Sequence, residues 1–237
     1  MKFEQKYRTS WHDTDAYRRV RPTQLLVYMQ ETSNQHMQSL GQSLDAIRDE
    51  MGLAFLLSKI KLAIYKPLYS YEDISVETWT TESKGFSFNR FYTIKRGQEL
   101  IAAADTTWAL LSLTEGRLCK ADEFDFGFEN DAIIDIGLPS RFRVPKTELL
   151  EPLGERKIVY SDLDYNMHMN NTKYADMLCD FIPYEKIPDI KGISLSYIHE
   201  AAFEDTVKIF AFQENDKYDF RTVNQEGKTC LEAEILF

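Results

Sequence analysis

The run Ser161 to Asp180, SDLDYNMHMNNTKYADMLCD, gathers side chains that can move a proton or hold an oxyanion: Asp162, Asp164, Asn166, His168, Asn170 and Asn171. A carboxylate beside an imidazole can act in general acid–base catalysis, and amide donors next to a helix N-terminus can stabilise a developing negative charge. Asp162, Asp164 and Asn166 also copy the first three ligand positions of a calcium loop. Met167 stands where that loop needs Gly, however, and Lys173 where it needs Glu, so the calcium reading fails. Asp and Asn are ordinary turn and cap formers too, so a structural role stays open on these residues alone.

After the loop, Tyr174, Met177, Leu178 and Phe181 follow at i, i+3, i+4 and i+7, one face of a helix. Asn170 or Asn171 is its expected N-cap and Pro183 its stop. Earlier in the chain Leu25, Leu26, Met29, Thr32, His36, Met37 and Leu40 keep the same period between Pro22-Thr23 and Gly41. His36 on that stripe reads as a packing residue. A short helix is expected over Ser43 to Glu50. Extended, β-branched and aromatic stretches come next: AFLLSKIKLAIYKPL, ISVETWTTES, FSFNRFYTIK and LIAAADTTWALLSL, the last two joined at Arg96-Gly97. One long helix before several strands predicts a sheet wrapped around a helix.

From Asp122 to Pro152 the pattern is broken by acidic residues, Gly127, Gly137, Pro139, Pro145 and Pro152, and this reads as a connection. After it the order repeats, with the polar loop and helix followed by ISLSYIHEA, TVKIFAFQE, YDFRTVNQE and TCLEAEILF. Asp13-Thr-Asp15 parallels Asp162-Leu-Asp164, Glu72-Asp73 parallels Glu204-Asp205, and Gly97 parallels Gly227. Two copies of one helix-plus-sheet unit are predicted, 1–137 and 138–237, with the linker at about 122–152. Laying Asp15 on Asp164 puts Tyr17 opposite Asn166 and Arg19 opposite His168. One copy thus carries the chemical groups and the other lacks them.

At 237 residues, 43% hydrophobic and 28% charged, the chain has the composition of a soluble globular protein. A net charge of −10 argues against a general nucleic-acid binder. The opening MKFEQKYRTSWHDTD has no apolar signal core, and no uncharged apolar run reaches spanning length, which points to a cytoplasmic protein without membrane partners. Cys119, Cys179 and Cys230 are scattered and suggest neither a disulfide frame nor a zinc site. His199-Glu200-Ala-Ala-Phe203 begins like a zinc helix motif, but Phe203 replaces the second His and the context reads as strand, so no metal is expected.

The string LDYNMHMNNTKY resembles a loop of the acyl-acyl carrier protein thioesterases, tandem hotdog-fold enzymes of plant plastids and bacteria. RPTQLLVYMQETSNQH, LSKIKLAIYKPLYSYEDISVETWTTES and TTWALLSLTEGRLCKADE resemble the family's first half in the same order, so the likeness covers nearly the whole chain. It implies an α+β double hotdog, two tandem units each with an antiparallel sheet around a central helix. It also implies hydrolysis of fatty acyl-acyl carrier protein to free fatty acid and holo-carrier, without a cofactor. By matching position the residues associated with hydrolysis are Asp164, Asn166, His168 and Glu200. Plant members often have Cys directly after that Glu. Ala201 occupies the position here, so the resemblance favours attack by water.

On that view Glu200 orients and deprotonates water, Asn166 and His168 hold the carbonyl oxygen with help from the helix N-terminus, and Asp164 fixes the loop and the His168 tautomer. Which of Glu200, Asp164 and His168 is the base stays open.

The resemblance puts much of the acyl slot in the first unit. Leu25, Leu26, Met29, Leu53, Phe55 and Leu57 are candidates, each equally explained as core. The expected partner is acyl carrier protein bearing a phosphopantetheine-linked acyl chain. Such carriers are strongly acidic, so an acidic enzyme would dock one through a local basic surface, either Arg18, Arg19 and Arg21 or Arg141, Arg143 and Lys146. The alternatives are an acyl-CoA thioesterase, a dehydratase, or a non-catalytic acyl-thioester-binding module. Two fused units can replace the usual hotdog dimer, leaving monomer or homodimer open.

Overall fold

Pro22–Ser39 forms an 18-residue helix, α1. Pro22 opens it without an N–H to leave unbonded, and the Leu40 N–H closes it on the His36 and Met37 carbonyls at 3.3 and 3.1 Å. Leu25, Leu26 and Met29 on its inner face are almost fully buried, each contributing about 1.5–3 kcal/mol. A second helix, α2 (Leu44–Asp49), starts where Ser43 Oγ accepts the Ala46 N–H at 3.1 Å. The computed structural model describes residues 2–214 and 216–237. They divide into two units, residues up to Ile60 with Ile64–Ile136, and Lys61–Ala63 with Gly137–Phe237.

In the first unit β1 (Phe3–Arg8), β2 (Leu53–Ile64), β3 (Asp73–Thr80), β4 (Phe88–Arg96) and β5 (Glu99–Ser112) lie in the order β1-β3-β4-β5-β2, with the short β6 (Arg117–Cys119) paired to β5. The pairs β1–β3, β3–β4 and β4–β5 are antiparallel, and α1 packs on β1 and β3. The strand period of two sends Ile74, Val76 and Thr78 of β3, and Phe88, Arg90, Tyr92 and Ile94 of β4, to buried positions. Trp79 points to the opposite face and is buried as well. Its Nε1–H donates to the Ala132 carbonyl at 2.8 Å, and the Asp131 N–H to the Thr80 carbonyl at 2.9 Å. The expected connection therefore begins as a segment laid against the first unit, with Phe126 and Ile136 buried.

The second unit contains β7 (Glu151–Lys157), α3 (Lys173–Cys179), β8 (Gly192–Tyr197), β9 (Thr206–Glu214), β10 (Lys217–Val223) and β11 (Thr229–Leu236), in the order β7-β9-β10-β11-β8. Strand for strand this is the order of the first unit. Gly97 and Gly227 take matching positive φ of 59° and 78° in the β4–β5 and β10–β11 turns.

Three boundaries differ from the sequence reading. β7 begins at Glu151, inside the stretch read as linker. As an edge strand paired only with β9 it accommodates Pro152, and the register shifts between Pro152 and Gly154. α3 starts at Lys173 because Asn170 Oδ1 accepts the Thr172 N–H and hydroxyl at 2.9 and 2.8 Å, which keeps the residues before it in a turn. It ends at Cys179, short of Phe181. Glu200 lies beyond the end of β8, in irregular backbone rather than in a strand.

His36 stacks on Phe3 at 5.2 Å and is buried, so desolvation and then the Arg90 charge lower its pKa to about 4. An unfolded His binds its proton near pH ~6.5, whereas the folded one stays neutral until about pH 4. Between those values the unfolded chain takes up the proton first, and stability falls as pH falls. Urea denaturation between pH 6.5 and 4 should show the wild type losing more stability than His36→Gln. Equal losses would overturn this account.

Candidate active site

The loop between β7 and α3 is held by carboxylates accepting backbone N–H groups. Asp164 Oδ1 accepts from Asn166 and His168 at 2.8 and 3.2 Å, while the Asp164 N–H donates to the His168 carbonyl at 2.8 Å. Met167, at the tip, takes φ 64°. Asp162 is 2% exposed. It accepts Arg156 Nη2 at 2.5 Å and the Val159 N–H at 3.1 Å, tying the loop to β7. On the other side the Met169 N–H donates to the Ala201 carbonyl at 2.8 Å and the Phe203 N–H to the Met167 carbonyl at 3.1 Å. These bonds lay His168 alongside the segment that follows β8 and bring its Nε2 to 3.3 Å from Glu200 Oε2.

The carboxylate and imidazole of that pair are 63% and 31% exposed, open enough for a substrate to reach. The ring faces Glu200, and Asp164 spends Oδ1 on the backbone, so among its contacts Asp164 fixes the loop rather than the ring. α3 has only seven residues, and Asn170 already occupies the Thr172 N–H ahead of it. The Thr172 N–H is therefore not open to an oxyanion. Ala201 is buried beside Glu200. The nearby Cys230 Sγ lies 3.9 Å from the Glu200 carbonyl, and burial pushes its pKa up to about 11, which makes it a poor nucleophile.

The first unit repeats the same loop without the chemistry. Asp15 Oδ1 accepts from Tyr17 and Arg19 at 2.8 and 3.0 Å, and the Asp15 N–H donates to the Arg19 carbonyl at 2.8 Å. Arg18 takes φ 64°. The Val20 N–H donates to the Leu68 carbonyl at 2.8 Å, as Met169 does to Ala201. Tyr17, Arg19 and Pro67 thus hold the places of Asn166, His168 and Glu200. The Tyr69 N–H on Glu72 Oε2 at 2.9 Å matches the Ala202 N–H on Asp205 Oδ2 at 3.0 Å. Glu72 therefore corresponds to Asp205, one residue from the alignment with Glu204 that the sequence suggested.

Of the proposed acyl-slot residues, Leu25, Leu26, Met29, Leu53 and Leu57 are buried. Phe55 lines a cavity of about 80 Å³ in the first unit, with Phe88, Arg90, Trp108 and Phe128 among its other walls. Arg90 was not singled out from the sequence. The signal was a charged residue at the same strand parity as Phe88, Tyr92 and Ile94. Arg18 and Arg21 border a surface hollow of about 410 Å³ with Trp11, His12 and Asp15. Arg19 is half-buried, and Arg141, Arg143 and Lys146 are exposed. Among the described residues no group of three or more His, Cys, Asp or Glu is arranged to hold a metal, and no helix is long and apolar enough to cross a membrane.

Two successive sheet-and-helix units of one connectivity, the second bringing a carboxylate and an imidazole together beside a braced loop, define a tandem hotdog fold. Residues 1–124 match the acyl-ACP thioesterase N-terminal domain and residues 153–237 the acyl-ACP thioesterase C-terminal domain. The chain belongs to the acyl-ACP thioesterase family. It is 24% identical over 212 residues to a chloroplastic oleoyl-acyl carrier protein thioesterase of Coriandrum sativum, covering 80% of this chain and 56% of that one. With the acyl-[acyl-carrier-protein] hydrolase FATB3 of Cuphea viscosissima the identity is 23%, covering 94% and 58%. The chain thus spans little more than half the length of these curated relatives. Its fold is that of the acyl-ACP thioesterase of Bacteroides thetaiotaomicron, with a TM-score of 0.90 and 20% identity over 100% of this chain and 97% of that one. The 12:0-ACP thioesterase of Umbellularia californica superposes with a TM-score of 0.82 and 16% identity, covering 99% and 96%.

Bracing and chemistry are separable. Asp164→Ala should lower unfolding stability by about 0.5–1.5 kcal/mol, because two backbone donors, one exposed and one half-buried, lose their acceptor. Glu200→Gln, at an exposed site, should stay within about 0.5 kcal/mol of wild type. Denaturant titration of both variants checks this, and a stable Asp164→Ala protein would contradict the bracing role.

Proposed function

We propose that the protein hydrolyses the thioester of fatty acyl groups carried on acyl carrier protein, releasing free fatty acid and holo-carrier. The observation that carries this is the 3.3 Å approach of His168 Nε2 to Glu200 Oε2 in the unit that matches the family's C-terminal domain. Glu200 takes a proton from water as its oxygen attacks the carbonyl carbon. His168, held against that carboxylate, keeps it oriented, and Asn166 supplies a donor to the oxyanion. The tetrahedral intermediate collapses with cleavage of the C–S bond, and the proton taken by Glu200 returns by way of His168 to the pantetheine sulfur. Asp164 acts through the backbone of the loop. The reaction written this way uses only water and the chain's own side chains.

In this reading residues 138–237 perform the chemistry and residues 1–137 receive the acyl chain, Phe55 and its cavity being the best-supported part of the slot. Leu25, Leu26, Met29, Leu53 and Leu57 then serve as the core that shapes it. The acidic carrier would meet Arg18, Arg19 and Arg21, with Arg141, Arg143 and Lys146 as a second contact. The protein would act in the cytoplasm. One chain already supplies both hotdog units, so a monomer suffices.

Thiol release from acyl-carrier and acyl-coenzyme A thioesters of several lengths tests the chemistry. His168→Ala and Glu200→Ala should each lower kcat by about 10²–10⁴-fold on carrier-linked substrates. Full turnover in either variant would refute the assignment, and no release from any thioester by the wild type would leave a dehydratase or a binding module. Reversing Arg18, Arg19 and Arg21 to Glu should raise KM for carrier-linked substrates while hardly changing it for coenzyme A thioesters. Equal effects on both would remove the docking role.

A further inference from the structure

Among the described residues Arg90 is the one buried arginine, and its hydrogen-bonding partners there include no carboxylate. It is 6% exposed and is the third of the nine residues of β4. Nη1 lies 3.0 Å from His36 Nδ1 and 3.2 Å from Thr78 Oγ1, Nη2 lies 3.9 Å from the Met37 sulfur, and Cζ stands 5.2 Å above the Phe128 ring. A guanidinium only donates, so His36 Nδ1 accepts and the imidazole is the neutral tautomer protonated on Nε2. These partners solvate the charge without neutralising it. A buried charge left without a counter-ion is among the least tolerated features of a protein interior.

The surroundings point to what would supply the missing charge. Thr80 sits directly opposite Arg90 in the β3–β4 register, and its buried Oγ1 has no hydrogen-bond partner among the described residues. Both residues line the cavity whose remaining walls include Phe55, Phe88, Trp108 and Phe128. Its volume of about 80 Å³ compares with about 10–15 Å³ for the space a single water needs. A wholly apolar occupant would leave the guanidinium and the hydroxyl as they are. A multiply charged one would find a single cation among aromatic rings.

We propose that this cavity binds an apolar chain ending in a carboxylate, with the Arg90 guanidinium as counter-charge, the Thr80 hydroxyl as a further donor and the aromatic walls around the methylenes. A planar guanidinium matches a carboxylate in charge and shape. The carboxylate has two possible sources: a free fatty acid bound as a ligand in its own right, or an acyl group carrying a second carboxylate at its far end. The inference stands on the first unit alone and is read by binding, so its failure is distinct from failure of the hydrolase reading.

Calorimetric titration of the whole protein with octanoate, octanol and methyl octanoate tests it. Octanoate should bind at least ten-fold more tightly than either neutral compound. Arg90→Met, which keeps the side-chain length, should lose that preference while still binding octanol. Equal affinities in the wild type, no octanoate binding, or an undiminished preference in Arg90→Met would each overturn the proposal. If Arg90→Met does not fold, the three ligands on the wild type decide alone. The source is then assigned by turnover. Faster thiol release from an ω-carboxyoctanoyl than from an octanoyl thioester identifies the far end of the acyl group, whereas slowing of octanoyl hydrolysis by octanoate, without that preference, identifies the free acid.

Discussion

A carboxylate oxygen that accepts two consecutive-turn backbone N–H groups is the interaction on which the site depends. A loop this tight turns its amides inward, and without an acceptor the half-buried His168 amide would be left unbonded. Asp164 Oδ1 collects those of Asn166 and His168, and charge-assisted bonds of that kind are stronger than neutral ones. With the backbone fixed, Met167 can hold its positive φ and His168 has one direction in which to point. Glu200, on irregular backbone after β8, meets it because the Ala201 carbonyl and the Phe203 N–H are both bonded to the same loop. The first unit shows that this bracing is independent of the groups it presents, since Asp15 builds the same turn around Tyr17 and Arg19.

Much of this was legible in the sequence, for reasons that are local. The helix α1 announced itself through a long 3.6-residue period with Pro at one end and Gly at the other. The strands that alternate or run apolar were found near their observed places. The Asp-x-Asp pairs were visible as a repeat because each Asp serves its own neighbourhood, and the bonds of Asp13 and Asp162 match as those of Asp15 and Asp164 do. The Arg21 and Asn170 N–H groups donate to the Asp13 and Asp162 carbonyls at 3.0 and 2.8 Å.

What stayed hidden is what depends on partners distant in the chain. β7 has a single neighbour and contains Pro152 and Gly154, so it carries no alternation to read. The start of α3 was set by a side chain bonding its own turn, which competes with the helix for the same donors. The register between Glu72 and Asp205 could be fixed only by the amides each carboxylate caps. Arg90 was visible as a residue but not as an anomaly, because its burial comes from α1 and the segment carrying Phe128, remote in sequence. The same holds for Cys230. Its proximity to Glu200 invites a thiol mechanism, and only its burial, which raises its pKa, argues against one.

Two loops with one backbone and different side chains also make the chain its own reference sample. The amide protons of Tyr17 and Arg19 are bonded to Asp15 as those of Asn166 and His168 are to Asp164, so their exchange with deuterated solvent starts from closely similar hydrogen bonding. Any ligand that slows exchange at the second pair alone is reporting contact with the chemical groups. One that slows both is tightening the scaffold. The ratio of the two protections therefore separates occupancy of the site from general stiffening within a single spectrum, without a variant or a second protein.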